Sequence, residues 1–115
     1  MNTQPNLRLR TIAAMSTLAD DIFNNCQKND FEEIVNRETV DYFLRVGMQF
    51  NFHIHDIGCK IAVNQRFIAT NPDSETVSAC HASIAEFEHE LVELKALVKK
   101  LDSYAIALTA RKKLH

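Results

Sequence analysis

At 115 residues, with 46% hydrophobic and 24% charged side chains, the chain has the size of one folded unit and a composition that argues against disorder. A formal net charge of -2 and a sequence pI near 6.2 exclude a global field that would gather nucleic acid or an anionic membrane surface. With Gly 2, Pro 2 and no Trp, the frequent turns of a sheet-rich domain are missing, so the composition predicts helices.

The segment from Met1 to Ala19 carries Arg8 and Arg10, several Ser and Thr, and no acid before Asp20. That is the make-up of a mitochondrial presequence, but its apolar spacing runs on into a helix. Ile12, Met15, Ala19, Ile22 and Cys26 follow at steps of three and four, which places them on one helix face. The polar cluster from Asn24 to Asp30 interrupts this pattern. Asn29 or Asp30 is expected to cap a second helix beginning near Phe31, by accepting from its free N–H groups.

From Val40 the same stepping gives Val40, Phe43, Gly47, Phe50, Ile54, Ile57, Ile61, Asn64 and Ile68, a coiled-coil seam of about four heptads. Gly47 weakens the helix by about 1 kcal/mol relative to Ala and is expected to let a facing group come close. Asn64 is polar where the seam is apolar, and reads either as a register-fixing device or as a solvated position.

Asn71-Pro72-Asp73-Ser74-Glu75 holds the only internal proline and reads as an N-cap, Pro at the first helical position, and acids in the first turn of a third helix. Its seam is Val77, Cys80, Ile84, Phe87, Leu91, Leu94, Val98, Leu101, Ala105 and Leu108, without a slip. Five heptads make a rod of about 55–60 Å. Arg111-Lys112-Lys113 suits a helix C-terminus, where cations meet the negative end of the dipole.

Chemistry-bearing constellations are sparse. Cys26, Cys59 and Cys80 are odd in number and fit no CxxC spacing, so they read as reduced helix residues in a cytosolic setting. No apolar run approaches the ~18 residues of a membrane span, and no Asn-x-Ser/Thr sequon occurs. His55 and Cys59, four apart, could share one ion but lack companions unless folding brings Cys80 and His81 alongside. No Gly-rich phosphate loop is present, and each cysteine lies on a helix, not on a loop that would present a nucleophile. The sequence therefore predicts no catalytic, cofactor-binding or metal residues.

A strict stripe repeating about every 3.5 residues wants another long helix as mate, and helices this long overrun the core of a compact three-helix bundle. The chain supplies that mate by folding back at Pro72, or other chains do. Either way Leu44, Phe52, Phe67, Val92, Leu97, Tyr104 and Ile106 remain to be covered. Glu86, Glu88, Glu90 and Glu93 precede Lys95, Lys99 and Lys100 and read as a solvated face. With Val77 at a, Glu90 at g and Lys95 at e would also attract between parallel copies.

The run Leu91 to Leu114, above all Lys100-Leu101-Asp102-Ser103-Tyr104 with the Lys-rich end at Lys112-Lys113-Leu114, resembles the C-terminal helix of the family of subunit two of the biogenesis of lysosome-related organelles complex. Ala19-Asp20-Asp21-Ile22-Phe23 and His55-Asp56-Ile57 echo it in the same order. The resemblance implies a small helical subunit of a rod-like cytosolic hetero-oligomer, peripheral to endosomes and lysosomes, with packing residues and no catalytic ones.

The expectation is thus an all-α chain whose long helices form a coiled coil or helical hairpin, with a shorter N-terminal helix. Its segments are residues 1–30, 31–70 and 71–115. The partner-facing positions are Phe43, Phe50, Ile54, Ile57 and Ile61 on the central helix. On the last helix they are Val77, Cys80, Ile84, Phe87, Leu91, Leu94, Val98, Leu101, Tyr104 and Leu108. The expected partners are other helical coiled-coil subunits in a hetero-oligomer, with no nucleic acid and no cofactor. A self-associating adaptor and a small metal- or thiol-dependent enzyme are the alternatives.

Overall fold

The computed structural model describes residues 7–28 and 33–113. They form three helices, α1 (Leu7–Lys28), α2 (Glu33–Thr70) and α3 (Val77–Lys113). The caps expected at Asn29 or Asp30, the start near Phe31, and the side chains of Arg111, Lys112 and Lys113 lie outside what is described. The molecule measures 64 × 30 × 15 Å, the length of one long helix and the thickness of a flat pack of two or three.

α2 and α3 run antiparallel as a hairpin. Their a and d positions face each other and bury Phe43, Ile57, Leu94, Leu101, Ala105 and Leu108, with Phe50, Ile54, Ile61, Phe87 and Leu91 packed alongside. Of the two mates the seam could have, the chain itself supplies one.

The third helix begins later than the proline pattern predicts. Asn71 precedes Pro72, and the proline ring disfavours helical backbone at the residue before it, so α2 stops at Thr70. Asn71 closes α2 instead of opening α3: its backbone N–H donates to the Phe67 carbonyl at 2.9 Å, and its side-chain amide reaches the same oxygen at 3.1 Å. Ser74 takes over the capping role, its Oγ accepting from the Thr76 N–H at 3.2 Å, and α3 starts at Val77.

α1 runs parallel to α3 and lies along a second stripe of it. Glu90, Leu97 and Tyr104 are spaced by seven residues on the flank of the a/d seam, the g positions of its heptads. Onto them α1 turns the face carrying Ile12, Met15, Ala19, Ile22 and Cys26, of which Ile12, Ala19 and Cys26 are buried. The expectation that such long helices overrun a three-helix core is met by division of the rod. At the base, from Phe87 to Leu108 of α3, three helices share the core; towards the Pro72 turn only the hairpin continues among the described residues.

Gly47 is buried, yet a Cβ placed on it or on Gly58 would meet nothing within 4 Å. The close approach expected at Gly47 is absent. Asn64 is half-buried and its Nδ2 donates to the Lys60 carbonyl of its own helix at 2.8 Å. That bond crosses to no other helix.

Candidate interaction surface

The positions predicted to face partners fall into two groups. Phe43, Ile57, Cys80, Leu94, Leu101 and Leu108 are buried inside the chain. Phe50, Ile54, Ile61, Phe87, Leu91 and Tyr104 are partly buried against the same core, and Val77, Ile84 and Val98 are half-buried. The seam expected to dock on other chains is instead the hairpin's own core, because α2 supplies the complementary stripe at the same spacing. Leu97, left uncovered by a hairpin alone, is 2% exposed under α1.

Polar groups hold α1 in place. Tyr104 Oη donates to Asp20 Oδ1 at 2.5 Å, and Lys100 Nζ donates to Ser16 Oγ at 2.5 Å while standing 3.1 Å from Asp20 Oδ1. The hydrogen bond from Tyr104, then that from Lys100, favours the Asp20 carboxylate and lowers its pKa against a smaller opposing effect of burial. The same bond, helped by burial, pushes the Tyr104 phenol up from 10.0 to about 12. Phe23 stacks on the Tyr104 ring at 4.0 Å between centroids and 7° between planes.

At the other end of the α1–α3 contact, Arg8 Nη1 meets Glu90 Oε2 at 3.3 Å, its guanidinium 5.8 Å from the centre of the Phe87 ring. Glu90 is 2% exposed. Neither a solvated acidic face nor a charge pair between parallel copies describes it: this carboxylate faces α1 because a g position in a three-helix section is interior. Its role could be read only by knowing where α1 lies, although the seven-residue spacing of Glu90, Leu97 and Tyr104 was a signal that α3 has a second covered stripe.

What remains unmatched lies on the outside. On α2, Leu44, Met48, Phe52 and Val63 are exposed, Phe52 to 71%, and on α3 Val92 and Ile106 are exposed likewise. With Val40 and Ile54 at a, Met48 falls at b and Phe52 at f, the side of the helix away from the a/d core. α2 thus also carries exposed apolar residues on the side opposite its core. A shallow groove between the hairpin helices, lined by Val40, Leu44, Ala105, Ile106, Thr109 and Ala110, joins the outer surfaces of α2 and α3. A second hollow, on α2 near the turn, is lined by Cys59, Ala62, Val63, Arg66, Phe67 and Thr70.

The constellation weighed for metal or thiol chemistry is on this same outer side. His55 Nε2 and Cys59 Sγ stand 3.8 Å apart and exposed, whereas Cys80 is buried. Among the described residues no group of three or more His, Cys, Asp or Glu is placed to hold a metal ion. Among them, too, no helix is long and apolar enough to cross a membrane.

The fold defines the class: an all-helical hairpin with a shorter N-terminal helix clasped along its base. Beyond the class, no protein-family model, curated protein or solved structure matches this chain.

Proposed function

We propose that this chain is a non-catalytic helical subunit that assembles with other helical chains through the outer side of its hairpin. The observation that carries the reading is the exposed apolar run Leu44, Met48 and Phe52, at four-residue steps on α2, with Ile106 of α3 sharing a groove with Leu44, left over after the chain's own core is complete. Contiguous exposed apolar surface on a small protein marks a place where another molecule sits. Helix faces of this kind are matched by helices, because a complementary stripe at the same spacing buries them along their length.

The resemblance carried by Leu91 to Leu114 supports a narrower assignment. In it the partners are subunits of a cytosolic hetero-oligomer peripheral to endosomes, acting in the biogenesis and trafficking of lysosome-related organelles. Affinity purification of the tagged chain from its native cell, followed by identification of stoichiometric partners, tests both levels. Other helical chains in fixed ratio are expected, and recovery of this chain alone sinks the assignment. A Phe52→Glu, Ile106→Glu variant, altered only on the surface, is expected to lose those partners while keeping its helical circular dichroism.

The reading as a self-associating adaptor is favoured by one specific feature, the symmetry of the outer stripe of α2.

A further inference from the structure

Resting on the reading above, that the outer face of the hairpin is a docking surface, we infer that the first occupant of the α2 stripe is a second copy of this chain, paired antiparallel about a two-fold axis. The outer b and f positions of α2 run Asp41, Arg45, Met48, Phe52, His55, Cys59, Ala62 and Arg66, in unbroken alternating steps of four and three, and all are exposed. Reversing a second copy about the point midway between Phe52 and His55 sets every b position against an f position, as antiparallel coiled-coil packing requires. In that register Asp41 faces Arg66 of the second copy at both ends, Met48 faces Cys59, and Phe52 faces His55. Arg45 faces Ala62, so opposite charges meet at the outermost positions while Met48, Phe52, His55 and Cys59 form the middle, the arrangement of a two-fold interface in which one patch meets itself.

Side-chain volume selects the same direction. The half of the stripe nearer the base carries the bulky Met48 and Phe52, flanked by Leu44, all exposed to solvent. The half nearer the turn carries the small Cys59 and Ala62, which line a hollow. An antiparallel pair seats bulk in hollow twice over. A parallel pair would set Asp41 against Asp41, Arg66 against Arg66, and bulk against bulk.

The test uses the full purified chain in analytical ultracentrifugation. A dimer is expected, and Phe52→Glu should weaken it by on the order of 1000-fold, because two-fold symmetry removes two aromatic anchors at once. Phe52 lies outside the core, so circular dichroism should show unchanged helix content. Asp41→Arg alone should weaken the dimer about fivefold, and Asp41→Arg with Arg66→Asp should restore it. For register, Met48→Cys should form a disulfide with Cys59 of the second copy under diamide. Cys59 of the unaltered protein should not link to its own equivalent, about 16 Å away in this pairing and beyond disulfide reach.

A monomer, a dimer indifferent to Phe52→Glu, or a Cys59–Cys59 link in the unaltered protein each overturns the inference. A monomer that still carries other helical chains out of the cell overturns the second copy alone and leaves the subunit reading standing. A dimer recovered with no other chain does the reverse.

Discussion

Tyr104 donates its phenolic hydrogen to the Asp20 carboxylate at 2.5 Å, and this bond, reinforced by Lys100, ties α1 to the base of the hairpin. The aromatic ring serves a second purpose, lying flat on Phe23 of α1 and 6.0 Å from the Phe43 ring of α2. One side chain therefore touches all three helices, and the consequences of altering it can be divided.

Tyr104→Phe removes the hydroxyl and leaves the stacking. The lost bond goes to a charged acceptor, but Asp20 is 40% exposed, so the cost should be about 1 kcal/mol and not the larger figure of a buried charge-assisted bond. Tyr104→Ala also removes the ring and should cost about 3–5 kcal/mol. Urea denaturation of the two variants measures the difference, and equal costs would contradict the division of roles.

Alkaline pH should loosen α1. The folded state holds the Tyr104 proton to about pH 12, whereas an unfolded tyrosine releases it near 10.0. Stability from this group is therefore fully present below pH 10 and falls as the pH rises from 10 towards 12. In a Tyr42→Phe background Tyr104 is the chain's only tyrosine, and its phenolate absorbance reports the transition directly. Asp20 acts in the opposite range: its depressed pKa contributes stability above the ordinary carboxylate value, lost as the pH falls through the folded one.

Arg8→Ala takes the guanidinium from a carboxylate that is 2% exposed, and should cost about 1–2 kcal/mol. Glu90→Gln keeps a hydrogen-bond acceptor before Arg8 and should cost less. Hydrogen exchange of the α1 amides distinguishes the two: faster exchange along the first turns is expected for Arg8→Ala, and the reverse order would refute the account.

Gly47→Ala and Gly58→Ala should each stabilise the protein by about 1 kcal/mol, because both sit inside α2 and an added methyl meets open space. The sites are about 16 Å apart along the helix, so the effects should add. A loss of thermal stability in either variant would show that a close approach exists at that position after all.

The period of the apolar residues made most of the fold legible. Ile12, Ala19 and Cys26, Phe43 and Ile57, and Leu94, Leu101 and Leu108 could all be read as interior faces, since each repeats at the spacing of a helix packed on one side. The start of α3 is ambiguous in the sequence because Asn-Pro-Asp-Ser offers two competing caps, and only the geometry shows Asn71 turning back to Phe67 while Ser74 serves α3. Which stripe meets which was also beyond reach. A seam specifies a mate of matching spacing but not the chain that supplies it, so the same stripe suits a docking edge or the interior of a hairpin. The outer stripe of α2 does not stand out as a unit in the sequence because its apolar members are interleaved with Asp41, Arg45, His55 and Arg66.

The division of the rod has a mechanical side. From the base to Phe87 bending must deform three interlocked helices, while from there to the turn at Pro72 it deforms two. Stiffness against flexing rises steeply with thickness, so the molecule is a rigid handle with a compliant tip. Whatever grips the handle fixes an orientation; whatever grips the tip inherits its swing.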